Sequence, residues 1–206
     1  AGVIEFPNCR RSYFKLSTID CNRSGAAKIA TDKDYASYFM RRLGYPVPEG
    51  RAFFSDAWCA INKTDNNLDA AFRYANNIGF PVIVKPNAKA KGQGVQKVND
   101  PVMLKSALQR LFLLDDIVLV QKVVRGKDYR FIVYKETVPV AYERIPFSLI
   151  GDGTRTVRDL LASALHDLRR RGRSVYLDEN DERIRERLLQ TYQYTGESIP
   201  SKGEWV

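Results

Sequence analysis

The chain has 206 residues, 44% of them hydrophobic and 28% charged, enough apolar side chain for one large domain or two small ones and too much for a disordered chain. Lys and Arg number 33 against 24 Asp and Glu; the resulting +9 admits nucleic acid, anionic lipid or a phosphorylated or acidic small molecule as partner without choosing among them. Three cysteines without CxxC spacing and a single histidine, His166, argue against a zinc site or disulfide framework and fit a reducing cytoplasm, and no run approaches the ~18 apolar residues of a membrane span.

The first stretch, "AGVIEF", lacks an initial Met and a signal peptide, so it reads as a processed product or an excised segment. Residues 1–30 form a lead-in without an assignable pattern. "TDKDYASYFMRRLGYPVP" predicts a helix from Thr31 or Asp32, with Thr31 and Asp34 in capping-box spacing, Tyr35, Phe39 and Leu43 as its apolar stripe, and Gly44 as its stop. Lys33 falls in the first turn, where its charge opposes the helix dipole. A neighbouring anion would explain it; a solvated lysine is the alternative.

"NNLDAAFRYANNIGFP" predicts a second helix with Leu68, Ala71, Phe72, Ala75 and Ile78 on one face and Gly79 as its stop. The apolar run Val82, Ile83, Val84 then reads as a buried strand ending in Lys85. "NAKAKGQG" follows, and the freedom of Gly92 and Gly94 at positive φ lets backbone N–H groups converge. With Lys85, Lys89 and Lys91 nearby, such a loop suits a polyphosphate; a basic surface hairpin is the plain alternative. It is not GxxxxGK[ST], since no Gly-Lys-Ser/Thr occurs and "VQKVND" reads as a returning strand. "NDPVMLKSALQRLFLL" predicts a helix with Asp100 as cap, Pro101 at its first position and Leu104, Ala107, Leu108 and Leu111 inward, followed by the strand "IVLVQKVV".

"RGKDYRFIVYKETVPVAYERIP" predicts an antiparallel hairpin turning near Lys135 and Glu136. Asp128 and Arg130, two apart, share a face able to hold a ribose hydroxyl and a phosphate; a cross-strand ion pair is the alternative. Tyr129, Phe131 and Val133 could form a nucleic-acid stacking face, but serve more easily as sheet core. "GDGTRTVRDLLASALHDLRRRG" predicts a helix capped by Thr156 and Asp159, with Val157, Leu160, Leu161, Ala164, Leu165 and Leu168 inward and Arg169, Arg170, Arg171 and Arg173 at its favourable C-terminal end. "ENDERIRERLLQTYQY" predicts a last helix with Ile184, Leu188 and Tyr192 inward, and "IPSKGEWV" reads as a strand cut short.

Taken together, "TDK", "FPVIVKP" with its glycine flap, "LVQKVVRGKDYR", "ERIP" and "GDG" resemble the ATP-grasp ligases, and within them the ligase domains of cyanophycin synthetase and bifunctional glutathione synthetases, from about residue 30 to 206. The resemblance implies an α+β ATP-grasp fold, two subdomains gripping a nucleotide: a lid at 31–120 and a second subdomain at 121–206, incomplete at its C-terminus. It implies that Lys33 and Lys85 hold α and β phosphates, and that residues 87–95, with Lys91, Gly92 and Gly94, form a flap over the triphosphate. Gln121, Lys122 and Val124 belong to the adenine hinge, Asp128 accepts the ribose hydroxyls, and Arg130 and Arg144 face the reacting phosphate or substrate carboxylate. The implied activity is ATP-dependent carboxylate–amine ligation with ATP and Mg²⁺, on an amino acid or short peptide, in the cytoplasm, without membrane or nucleic acid; a homo-oligomer stays open. Where the family has Glu at the hinge this chain has Gln121, and the family's metal ligands fall downstream of "GEWV", so the 206 residues read as an inactive part of a longer ligase. A non-catalytic ATP-binding or interaction module is the alternative.

Overall fold

In the computed structural model, residues 1–206 are described except 16–17, 91 and 174–180. The chain divides into two units, Ala1–Gly126 and Lys127–Val206. The first begins with an exposed antiparallel meander of β1 (Gly2–Glu5), β2 (Arg11–Lys15) and β3 (Thr18–Ile19), followed by helix α1 (Ser24–Thr31).

Helix α2 (Lys33–Arg42) starts one residue later than a Thr31 cap requires. Its cap is Asp32, whose carboxylate accepts the Tyr35 N–H at 2.9 Å. Thr31 instead closes α1, its hydroxyl donating to the Lys28 carbonyl, because two helices abut where the sequence pattern indicated one. The expected stripe of Tyr35, Phe39 and Leu43 is exposed, and α2 buries none of its residues.

A four-stranded antiparallel sheet is formed by β4 (Gly50–Phe54), β5 (Val82–Pro86), β6 (Gln96–Val98) and β7 (Ile117–Lys122), in the order β4-β7-β5-β6. Between them run α3 (Asp56–Asn62), capped by Ser55, α4 (Leu68–Ile78), capped by Asn67 and ended by Gly79 at φ 80°, and α5 (Pro101–Phe112), capped by Asp100. The inward stripes of α4 and α5 are those read from periodicity: Ala71, Ala75, Leu104, Ala107, Leu108 and Leu111 pack on Phe53, Val82, Val84, Val98, Val118 and Val120. Each buried Leu or Val contributes about 1.5–3 kcal/mol by removal from water, so this layer carries most of the unit's stability.

Strand alternation assigns the opposite face of the sheet. Register pairs Ala52, Leu119 and Lys85 across β4, β7 and β5, and likewise Gly50, Gln121 and Ile83. Lys85 and Gln121 therefore point away from α4 and α5. Gly50 admits the neighbouring Gln121: a Cβ there would collide with Gln121 Cγ and lie 2.9 Å from the Val120 carbonyl oxygen.

The second unit opens with the expected hairpin, β8 (Tyr129–Tyr134) and β9 (Thr137–Glu143), with Lys135 at φ 53° in its turn. Both strands are exposed throughout. The expectation that Tyr129, Phe131 and Val133 serve as core is not met, since neither hydrophobic cluster of the described residues includes a hairpin side chain. The unit's core lies instead around α6 (Val157–Arg170), where Val157, Leu160, Leu161 and Leu165 pack with Leu149, Leu188 and Val206. The Thr156–Asp159 capping box is present. Helix α7 (Glu182–Arg187) continues into a π-helical turn, Leu188–Tyr192, with Ile184, Leu188 and Tyr192 inward as expected; positions 179–180 of that predicted helix lie outside the described residues. "GEWV" returns to the unit's start, Leu149 and Val206 exchanging main-chain hydrogen bonds of 2.8 and 3.0 Å. Among the described residues no helix is long and apolar enough to cross a membrane.

Candidate functional site

Lys85 is the next-to-last residue of β5, half-buried on the sheet face opposite α4 and α5. Its ammonium has no hydrogen-bond or ion-pair partner among the described residues. Burial pushes its pKa below the usual lysine value, and the nearby Lys33 ammonium pushes it the same way. Two of the residues expected to hold phosphate are thus brought together.

Lys33 is placed by the first turn of α2, yet its side chain reaches β5 and the flap. Its ammonium donates to the carbonyls of Pro86 at 3.1 Å, Asn87 at 2.6 Å and Lys89 at 2.5 Å. All three N–H donors are used. Burial lowers its pKa, while Asp115 and Asp32 act in the opposite direction.

The flap between β5 and β6 is rooted by two residues that sequence reasoning missed. Asn87, 2% exposed, donates its main-chain N–H to the Ile117 carbonyl at 2.9 Å and accepts the Asp34 N–H on Oδ1 at 3.0 Å. Asp115 accepts the Ala88 N–H at 2.9 Å and the Ile117 N–H at 3.1 Å. Apart from the short reach of Asp115 to Ile117, their partners lie too far along the chain for local pattern to reveal them. Further out, Gly92 and Gly94 take φ values of 75° and 70°, as the loop reading required. A Cβ at Gly94 would sit 2.8 Å from Leu111 Cδ2 and from Pro86 Cγ, so the flap's returning arm lies against β5 and α5. Lys91 lies outside the described residues.

Of the residues expected to border the adenine, Gln121 is 5% exposed in the middle of the sheet, between Gly50 and Ile83. Lys122 ends β7, its N–H donating to the Glu49 carbonyl at 2.8 Å and its ammonium 3.6 Å from the Glu49 carboxylate. Val124 is exposed just beyond. In the second unit, the Asp128 carboxylate is engaged by Arg144 at 2.5 Å, with the Arg144 N–H also donating to the Asp128 carbonyl at 2.6 Å. Arg130 stands opposite Tyr142 without a hydrogen bond or ion pair among the described residues. Among those residues no group of three or more His, Cys, Asp or Glu is placed to hold a metal ion. An unpaired, half-buried ammonium beside a second one does fit an anion such as a nucleotide phosphate.

The family described as D-ala D-ala ligase C-terminus matches residues 39–147, just over half of the chain, and the chain belongs to that family. The matched segment includes Lys85, the flap, Gln121 to Val124, Asp128, Arg130 and Arg144. A glutathione biosynthesis bifunctional protein of Streptococcus mutans is 32% identical over 189 residues, covering 88% of this chain and 22% of the relative. A cyanophycin synthetase of a Nostoc species is 27% identical over 179 residues, covering 85% of this chain and 19% of the relative. The chain spans about a fifth of the length of these curated relatives. The crystal structure of a bifunctional glutathione synthetase from Pasteurella multocida aligns over 99% of this chain and 27% of its own, with 23% identity and a TM-score of 0.45. The resemblance to ATP-grasp ligases is borne out at the level of family, on a chain of mixed helices and antiparallel sheets.

Proposed function

We propose that this chain is the nucleotide-binding part of an ATP-dependent carboxylate–amine ligase acting on an amino acid or short peptide in the cytoplasm. The observation that carries this reading is the Lys85 ammonium, half-buried near Lys33 at the end of β5 and without a hydrogen-bond or ion-pair partner among the described residues. An uncompensated buried charge costs free energy, and a bound phosphate offsets that cost with a charge-assisted hydrogen bond.

In this reading Lys85 and Lys33 neutralise the phosphates, while the main-chain N–H groups of Gly92 and Gly94 supply further donors, those of Gln93 and Val95 being held within the loop by the Ala90 and Gly92 carbonyls. Gln121 to Val124 border the base. Asp128 accepts the ribose hydroxyls, and Arg130 and Arg144 orient the reacting carboxylate. The substrate carboxylate oxygen attacks the γ-phosphorus of ATP and ADP leaves; the amine then attacks the acyl carbon, phosphate leaves, and the amine nitrogen gives up a proton. Positioning and charge neutralisation carry such a reaction, in keeping with a chain rich in Lys and Arg and holding one His.

The test is calorimetric titration of ATP into the chain and into Lys85→Met, with tripolyphosphate as competitor. Micromolar binding displaced by tripolyphosphate and lost in the variant supports the reading. Binding indifferent to Lys85 overturns it. ATP binding without phosphate release by a longer protein, given its substrates, would favour the non-catalytic module instead.

A further inference from the structure

Helix α2 presents a mechanical question. None of its residues is buried, so hydrophobic packing does not fix it on the sheet, and Lys33 in its first turn is repelled by the helix dipole. Polar links must hold it. A helix N-terminus leaves its first N–H groups without intrahelical partners. Here the Asp32 carboxylate takes the Tyr35 N–H, but the Asp34 N–H is taken by Asn87 Oδ1, from the far end of β5.

We infer that Asn87 is a positioning residue: by capping the Asp34 N–H and presenting its own carbonyl to Lys33, it fixes the start of α2 on β5 so that the Lys33 ammonium stands beside that of Lys85. Asn87 is itself set by its main-chain bond to the Ile117 carbonyl, so the chain of contacts runs from the central strand β7 through Asn87 to α2. Its carboxamide is almost fully buried, where an acceptor left unpaired is costly, and the Asp34 N–H satisfies it. The positioning is a property of the ligand-free chain. That it serves phosphate binding rests on the reading proposed above.

Two variants separate packing from the hydrogen bond. Asn87→Leu keeps nearly the same volume without the acceptor, and Asn87→Asp keeps an oxygen facing the Asp34 N–H. If Asn87→Leu does not fold, Asn87→Ser, whose hydroxyl is too short to reach Asp34, carries the same test. In the ligand-free chain, hydrogen exchange of the Asp34 amide and acylation of Lys33 by an amine-reactive reagent, followed by mass spectrometry, are expected to accelerate about tenfold in Asn87→Leu, with the Asp34 amide still protected in Asn87→Asp. Unchanged exchange and labelling in a folded Asn87→Leu overturn the inference.

A second arm measures ATP affinity in Asn87→Leu, Lys33→Met and the double variant. Each single change is expected to weaken binding about tenfold and the pair no further, because both remove the same interaction. Additive losses would mean that Asn87 acts on ATP by another route and would overturn the inference. If the unmodified chain binds no ATP while exchange and labelling respond, the nucleotide reading fails and the positioning role stands.

Discussion

The ammonium of Lys33 lies 2.6 Å from the main-chain carbonyl oxygen of Asn87, 54 residues further along the chain. With the carbonyls of Pro86 and Lys89 it completes three acceptors for three donors. A phosphate that recruits Lys33 must take the place of at least one of these carbonyls, which couples anion binding to the root of the flap.

Lys33→Met removes that tie while keeping the aliphatic stem. The flap at residues 88–95 is expected to become more open to proteolysis, and the unfolding free energy to fall by about 1–3 kcal/mol, the range for charge-assisted hydrogen bonds. Limited proteolysis with mapping of the cut sites, alongside urea denaturation, checks both; an unchanged cleavage pattern would contradict the tether.

Lys85→Met has the opposite effect on stability. Its folded pKa is lowered by burial and by Lys33, so the unfolded chain holds this proton more tightly and the charged form penalises folding at neutral pH. The penalty fades as pH rises from the lowered folded value towards the ordinary value of 10.5. The variant should therefore melt higher than the parent at pH 7 without ligand and lose the alkaline rise attributable to this group, while ATP affinity falls about 10–100-fold. Differential scanning calorimetry from pH 7 to 10 reads the first two, and a lower melting point at pH 7 would refute the account.

Gly94→Ala tests the seat of the flap. A Cβ at φ 70° is strained, and here it meets Leu111 and Pro86 at 2.8 Å. A loss of about 1–3 kcal/mol is expected on denaturant unfolding. In a Leu111→Ala background the cost of Gly94→Ala should be smaller, since part of the clash is with that side chain.

The ion pair of Asp128 and Arg144 spans the ends of the hairpin with both side chains about half exposed. Asp128→Asn is expected to cost no more than about 1 kcal/mol at 0.1 M salt and less at 1 M, because solvent and salt screen such pairs. Urea unfolding at the two salt concentrations measures it. In the proposed function the same substitution weakens ATP binding, so a large affinity loss with little change in stability would mark Asp128 as a ligand-facing group.

What could be read from the sequence was what is local. Helices α4, α5 and α6 were legible because their caps and stripes fall within a few residues of one another, as with Asp100 and Pro101 or Thr156 and Asp159. Lys85, Gly92 and Gly94 were legible because a strand ending in lysine and a glycine loop each have a local signature. The helix start was left between Thr31 and Asp32 because the two offer similar caps; only the arrival of α1 decides for Asp32. β4 passed unnoticed because "GRAFF" is short and its charged Arg51 falls on the same face as the buried Phe53. Asn87 and Asp115 were invisible because each acts on residues that only the fold brings near.

Strand order has a consequence for synthesis. β4 pairs only with β7, and β5 takes its second neighbour from β7, so the centre of the sheet is the last of its four strands to leave the ribosome. Until residue 122 has emerged, β4 has no partner and the Lys85 edge of β5 is half made. Loop closure over the intervening residues has to precede any gain from pairing, which makes this a late, cooperative step. A nascent chain stopped short of β7 would carry the lysines and glycines of the site, but no sheet to hold them in register.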